Sequence, residues 1–364
     1  MGIALLLGAG ASFGSDVDMA NTPELGRGIY NAIKDCQIGP RIHYKKDLLQ
    51  LDNPADYDLP PNKEVQNTIT IDEWVELISR SAHESFMSGD FEQGMLLLDE
   101  QVDKARKERI SQGGLIRDYM SPSNEFGDIS LTEKIMREIT KYLYQFPPFD
   151  SNFFYAILAE LPTNSCIFTL NYDVIIEEVA LKSSINLIEP EGIDKALLSD
   201  PDKELLYYQL HGGVTLCTSW AQRRAGVAGL QMVSPAQRIQ HTWRNGEGGY
   251  GFLLTEDYIN RYCNNAILSY YNKEKYTANS PQIIKDIQRG YRQKLLSDIT
   301  KLIVIGCRYV PHDKHVWKAV EEFSGEIYWC GSKEDMPPPS VNSNITYIGD
   351  TFAEALSEIM ELIA

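Results

Sequence analysis

Leu5-Leu6-Leu7-Gly8-Ala9-Gly10-Ala11-Ser12 stands almost at the start of the chain, and its reading decides the fold. An apolar run beginning at Ile3 ends abruptly in small residues. A continuous apolar run bounded by glycine suits a strand buried on both faces. The small residues beyond it allow backbone N–H groups to approach a phosphate, with Ser12 adding a hydroxyl donor. A dinucleotide fingerprint would place its third glycine at position 13, where the chain has Phe13, and Gly14 comes one residue late. No acidic residue stands at the roughly 20-residue offset that binds a ribose hydroxyl. A hydride-transfer fold is therefore disfavoured. A phosphate-binding turn and a tight, ligand-free turn both fit this segment taken alone.

Working outward, similar runs recur at Cys166–Leu170, Ile185–Ile188, Leu205–Leu210, Leu302–Ile305, Glu326–Cys330 and Ile345–Ile348. Helical patterns separate several of them, over Asp173–Leu181, Pro281–Asp298 and Thr351–Ile363. Strands alternating with helices predict an α/β fold, a Rossmann-like doubly wound parallel sheet, with one nucleotide-binding domain spanning residues 1–364. Residues 27–160 break the rhythm. Ile71–Phe86, Glu92–Ile110 and Leu131–Phe146 have helical spacing, and Pro147-Pro148 stops the last. This region is expected to be a large helical insertion over the mouth of the sheet, with Pro40–Asn67 as loop. A second irregular insertion over residues 218–258 holds Gly246-Glu247-Gly248-Gly249-Tyr250-Gly251, which reads as a lid or a surface loop.

With 34 basic and 51 acidic residues the net charge is −17, which repels phosphate backbones and anionic membranes. Nucleic acid and membrane are thus not expected as direct partners. The six cysteines include no C-x-x-C pair, so a structural zinc ribbon has no ligand set. Cys166, Cys307 and Cys330 read as buried thiols of a reducing cytosol. With no signal-peptide pattern and no apolar span, a cytoplasmic location is expected.

Asn171 and Asp173 follow the second strand, at the edge where open α/β sheets bind ligands. Either could equally cap the helix that begins beside them. His211 ends a strand and precedes Gly212-Gly213, a placement that suits acid–base work or a hydrogen-bonded, partly buried histidine. His312 and His315 flank Asp313, a weak pattern for a metal site.

Four segments in order, Gly8-Ala9-Gly10-Ala11-Ser12, Thr169-Leu170-Asn171-Tyr172-Asp173, Leu210-His211-Gly212 and Ile303-Val304-Ile305-Gly306, resemble the sirtuin (SIR2) superfamily. They look closer to its bacterial antiphage-defence members than to its deacetylases. The resemblance implies NAD bound as substrate, with Gly8, Ala9, Gly10, Ala11 and Ser12 at its phosphates and Gly306 and Cys307 under the adenosine ribose. It implies Asn171, His211 and Asp173 as catalytic residues, Asn171 and Asp173 also lying beside the nicotinamide, and no metal. The paired zinc cysteines of the deacetylases are missing, Leu170 replaces their glutamine, and Cys307 stands where a small hydroxyl residue is usual.

The resemblance therefore implies an NAD+ glycohydrolase yielding ADP-ribose and nicotinamide, which depletes NAD during phage infection. It also implies control by homo-oligomerisation or by a separate partner such as a HerA-type ATPase or a short Argonaute. A catalytically silent NAD or ADP-ribose sensor, and an NAD-dependent deacylase or ADP-ribosyltransferase, are the competing readings.

Overall fold

A computed structural model of the chain describes residues 2–16, 27–38, 69–101 except 92 and 99, 131–143, 146, 148–188, 193–194, 202–218, 236–238, 266–268, 281–311 and 313–364. The chain divides into two compact units. One comprises Met1–Leu25, Leu143–Ser269 and Lys275–Ala364; the other comprises Gly26–Tyr142 and Tyr270–Glu274.

The first unit is built on seven strands: β1 (Gly2–Leu7), β2 (Cys166–Thr169), β3 (Ile185–Ile188), β4 (Lys203–Gln209), β5 (Ile299–Ile305), β6 (Glu326–Cys330) and β7 (Ile345–Gly349). They form one sheet in the order β7-β6-β5-β1-β2-β4-β3, with every pair parallel. Its helices are α1 (Ala9–Phe13), α2 (Phe153–Glu160), α3 (Ile175–Lys182), α4 (Pro281–Asp298), α5 (Lys314–Glu322) and α6 (Phe352–Ile363). The fold is Rossmann-like α/β, as the alternation of runs predicted.

Strand pleating explains the unbroken apolar runs. Successive side chains of β1 point to opposite faces. Ala4 and Leu6 enter one core with Ile287, Tyr291 and Leu295 of α4 and Val316 and Trp317 of α5. Ile3, Leu5 and Leu7 enter the other with residues of α2, α3 and α6. Leu5, Leu6 and Leu7 are wholly buried. Each such side chain contributes about 1.5–3 kcal/mol by leaving water, so the central strand needs no polar face.

The elements differ from the sequence reading in four places. Helix α3 begins at Ile175, because Asp173 and Val174 form the turn into it. Helix α2, read as the end of the insertion, belongs to the sheet unit, where Phe153 N–H donates to Ser15 O (2.8 Å). Gly212–Thr218 is a strand of a separate four-stranded sheet, and Ala236–Arg238, inside the segment read as irregular, pairs antiparallel with it. The glycine-rich 246–251 lies outside the described residues. The stretch read as one helix over Ile71–Phe86 is two helices, Ile71–Ile78 and Arg80–Ser88. Ser79, with extended φ −151° and ψ 100°, interrupts them, and its hydroxyl caps the second by accepting from Ala82 N–H.

In the second unit the helices Arg27–Ile33 and Leu131–Leu143 accompany that pair, with a two-residue antiparallel ribbon, Gln37–Ile38 and Ile69–Thr70. Thr70 and Glu73 close a capping box at the start of Ile71–Ile78. Tyr30 stacks on Phe86 (4.5 Å between centroids), and its hydroxyl donates to Asp72 (2.9 Å). Residues 93–98, within the predicted Glu92–Ile110 helix, are helical; 102–110 and 40–67 lie outside the described residues.

Candidate functional site

The sheet order sets the site. From β1 the chain proceeds to β2 on one side, whereas β5, on the other side, leads on to β6 and β7. The order reverses between β1 and β5, and ligands of open α/β sheets bind outside the carboxyl ends at such a point. Gly8 and Gly306 follow those two strands directly. Asn171 follows β2, and His211 follows β4. All four resembling segments therefore end on one edge of one sheet.

The glycines lock two turns together. Gly8 N–H donates to Ile305 O (2.9 Å), Gly10 N–H to Gly306 O (3.0 Å) and Ala11 N–H to Gly8 O (2.8 Å). A Cβ on Gly8 would lie 2.4 Å from Gly306 O. One on Gly306, whose φ is +61°, would lie 2.0 Å from Ala11 N. The small residues are thus required by the approach of one backbone to another. The resemblance places this turn at the phosphates of NAD; three of its N–H groups are already committed within the protein. Helix α1 has only five residues, and Ala9 is the exposed residue of the turn.

Ser12 is turned inward and joins two of the predicted residues. Asn171 Nδ2 donates to Ser12 Oγ (2.7 Å), and the Ser12 hydroxyl hydrogen-bonds the Asp173 carboxylate. Asp173 Oδ1 also accepts from Ile175 N–H (3.1 Å), so Asp173 does cap the turn into α3. Asn171 caps nothing: its backbone N–H donates to Thr169 Oγ1 (3.0 Å), and its side chain reaches across to the β1 turn. Both residues are 7% exposed. Asn171 Oδ1 is buried with no hydrogen-bond partner among the described residues, an arrangement costing about 1–3 kcal/mol unless a donor is supplied. Burial raises the Asp173 pKa, opposed by the bonds from Ser12 and Ile175.

His211 is held from several sides. Leu210 N–H donates to Thr169 O (2.9 Å), Gln288 Nε2 donates to Leu210 O (3.0 Å), and Val214 N–H donates to Tyr172 O (3.0 Å). Gly212, with φ +79°, turns the chain from β4 into the next strand. The His211 Nε2 lies 2.9 Å from His315 Nε2 on the first turn of α5. Asp313 completes the group, with one ligand atom from each of the three side chains within 4.8 Å of the others. His312 lies outside the described residues. Sequence reasoning missed the role of His315 beside His211, because 104 positions separate them. Gln288 gave no signal within an ordinary amphipathic helix.

Behind this edge Gln209 Nε2 donates to Glu177 Oε1 (3.1 Å) on α3. The neighbouring Glu178 is buried, and desolvation pushes its carboxyl up to about 7. Cys307 is the buried thiol the sequence predicted. Its thiol is buried within the α4–α5 core, 3.5 Å from Leu6 O, and desolvation raises its pKa.

Among the described residues no helix is long and apolar enough to cross a membrane. The chain matches no protein-family model and no curated protein.

Proposed function

We propose that this sheet edge cleaves the nicotinamide–ribose bond of NAD+, so that the protein is an NAD+ glycohydrolase. The observation that carries the reading is Asn171. Its amide is fixed by Ser12, and its buried Oδ1 is left without a donor beside a buried carboxylate. A nicotinamide carboxamide or an attacking water offers the missing N–H or O–H. The open sheet's reversal point and the order of four segments resembling SIR2-like defence proteins support the same ligand.

The chemistry asks little beyond positioning and charge. The bond from the ribosyl carbon to nicotinamide breaks with its electron pair passing to the ring nitrogen, which becomes neutral. Water then bonds to that carbon and loses a proton. Asn171 orients the leaving carboxamide or the water. Asp173, once ionised, faces the cationic ribosyl carbon and stabilises it electrostatically. Its burial opposes ionisation in the free protein, and a positive charge beside it reverses that preference. His211 takes the proton of water or of a ribose hydroxyl, and His315 steadies its ring.

From the same resemblance follow depletion of NAD in the cytoplasm during phage infection and control by self-assembly or by a separate partner, an ATPase of the HerA type or a short Argonaute. The test is nicotinamide release from NAD+, with the chain alone and with the products of adjoining genes. The expected result is turnover that falls at least 100-fold in Asn171→Ala and His211→Ala while NAD binding persists. Binding without turnover in every assembly contradicts the proposal and makes the protein a sensor. Transfer of ADP-ribose or removal of an acyl group from a peptide, read by mass spectrometry, contradicts it as well.

A further inference from the structure

We infer that His211, Asp313 and His315 form a binding site for a divalent transition-metal ion, Zn2+ above all, whose occupancy switches the sheet-edge site off. The imidazoles meet Nε2 to Nε2 at 2.9 Å. Two ring nitrogens that face each other in this way hold one proton between them, since two N–H groups cannot point at one another. A metal ion can take that proton's place. Ligand atoms around tetrahedral zinc, at Zn–N distances of about 2.0–2.1 Å, stand about 3.3 Å apart. The two nitrogens need to separate by only a few tenths of an ångström.

The third ligand comes from the same helix start. Asp313 is buried at 5% exposure and lies with both histidines inside the 4.8 Å group. Asp313 and His315 belong to one turn, fixed by Val316 N–H and Trp317 N–H donating to Asp313 O (2.9 and 3.0 Å). His211 comes from the far end of β4, held through Leu210 and Val214. The pocket is thus formed by folding before any ion arrives. Two histidines and one carboxylate with an open fourth position suit Zn2+ and its first-row neighbours, whereas Mg2+ and Ca2+ prefer all-oxygen sites.

The consequence for activity rests on the reading of His211 as the base. A metal on His211 Nε2 occupies the lone pair and places a positive charge where the ribosyl cation must form. The reaction itself needs no metal, so the ion acts as a brake.

The experiment uses the full chain stripped with a chelator and titrated with Zn2+ in a calorimeter, and with Co2+ followed by visible absorption. The expected result is one ion per chain, with affinity at least tenfold weaker in Asp313→Asn and in His315→Gln, each verified as folded by circular dichroism. Failure of the parent to take up an ion, or an affinity equal to the parent's in both variants, overturns the site. These readouts contain no NAD, so they stand or fall apart from the hydrolase proposal. In the activity arm, Zn2+ inhibits the parent at the same occupancy and a chelator restores it. Full turnover by the loaded protein overturns the brake.

Discussion

Ser12 carries the tightest argument at the residue scale. One hydroxyl accepts from Asn171 Nδ2 and serves the Asp173 carboxylate, so three residues from two strand ends move as a unit. Removing the hydroxyl in Ser12→Ala leaves a buried amide and a buried carboxylate short of one partner each. We predict a stability loss of about 1–3 kcal/mol by urea unfolding, together with a fall in turnover of roughly tenfold as Asn171 loses its fixed orientation. The sign of the pH effect follows from the same contact. Burial raises the Asp173 pKa and the Ser12 bond lowers it. If the ionised carboxylate is the active form, kcat/KM rises with pH through a midpoint above the ordinary carboxylate range. In Ser12→Ala that midpoint moves to still higher pH, and in Asp173→Asn that midpoint is lost, leaving only the limb that the base His211 sets. A pH profile of the three proteins measures this. The sequence placed Asn171 and Asp173 at the right edge but left open whether they cap a helix. The answer lay in a partner 159 positions away, and no local pattern encodes such a contact.

At the scale of elements, the β1 and β5 turns close on each other through glycine backbone. A methyl group at Gly306 combines positive φ with a Cβ 2.0 Å from Ala11 N. Gly306→Ala is therefore expected to cost about 3 kcal/mol or more, seen as a lower thermal midpoint, with no comparable loss from alanine at the exposed Ser297. Helix α3 carries a different strain. Glu178 is buried, and its carboxyl is pushed from 4.5 up to about 7 by desolvation, with Glu177 adding to the rise and Lys182 opposing it. A carboxylate raised on folding opposes the folded state when ionised. The cost is absent below pH 4.5, grows as pH rises to about 7 and stays constant above. Glu178→Gln should thus be more stable than the parent at pH 8 by on the order of 2 kcal/mol, and no more stable at pH 4. Chemical unfolding at the two pH values checks both statements. The parallel strands were legible because two-sided burial writes an unbroken apolar run such as Ile3–Leu7. The strand Gly212–Thr218 was not, since it opens on two glycines that interrupt the apolar run ending at Leu210. The break at Ser79 was hidden because the apolar spacing of Trp74, Ile78 and Ala82 runs straight through it.

For the whole molecule, a single sheet edge gathers the ends of β1, β2, β4 and β5, and with them every segment on which the functional reading depends. Four short motifs, spread from Gly8 to Gly306, become one place only through the strand order. The alternation of runs foretold a parallel sheet, but the order β7-β6-β5-β1-β2-β4-β3 depends on long-range pairing that no single segment specifies. The chain as a whole carries a net charge of −17. That charge repels the phosphate backbone of duplex DNA or RNA. The most direct measurement is chromatographic: purified protein, alone and in each assembly it forms, is incubated with NAD+, and nicotinamide and ADP-ribose are quantified against Asn171→Ala. The account predicts the two products in equal amounts, formed by the parent and not by the variant. Intact NAD+ in every assembly, or equal release by Asn171→Ala, contradicts it.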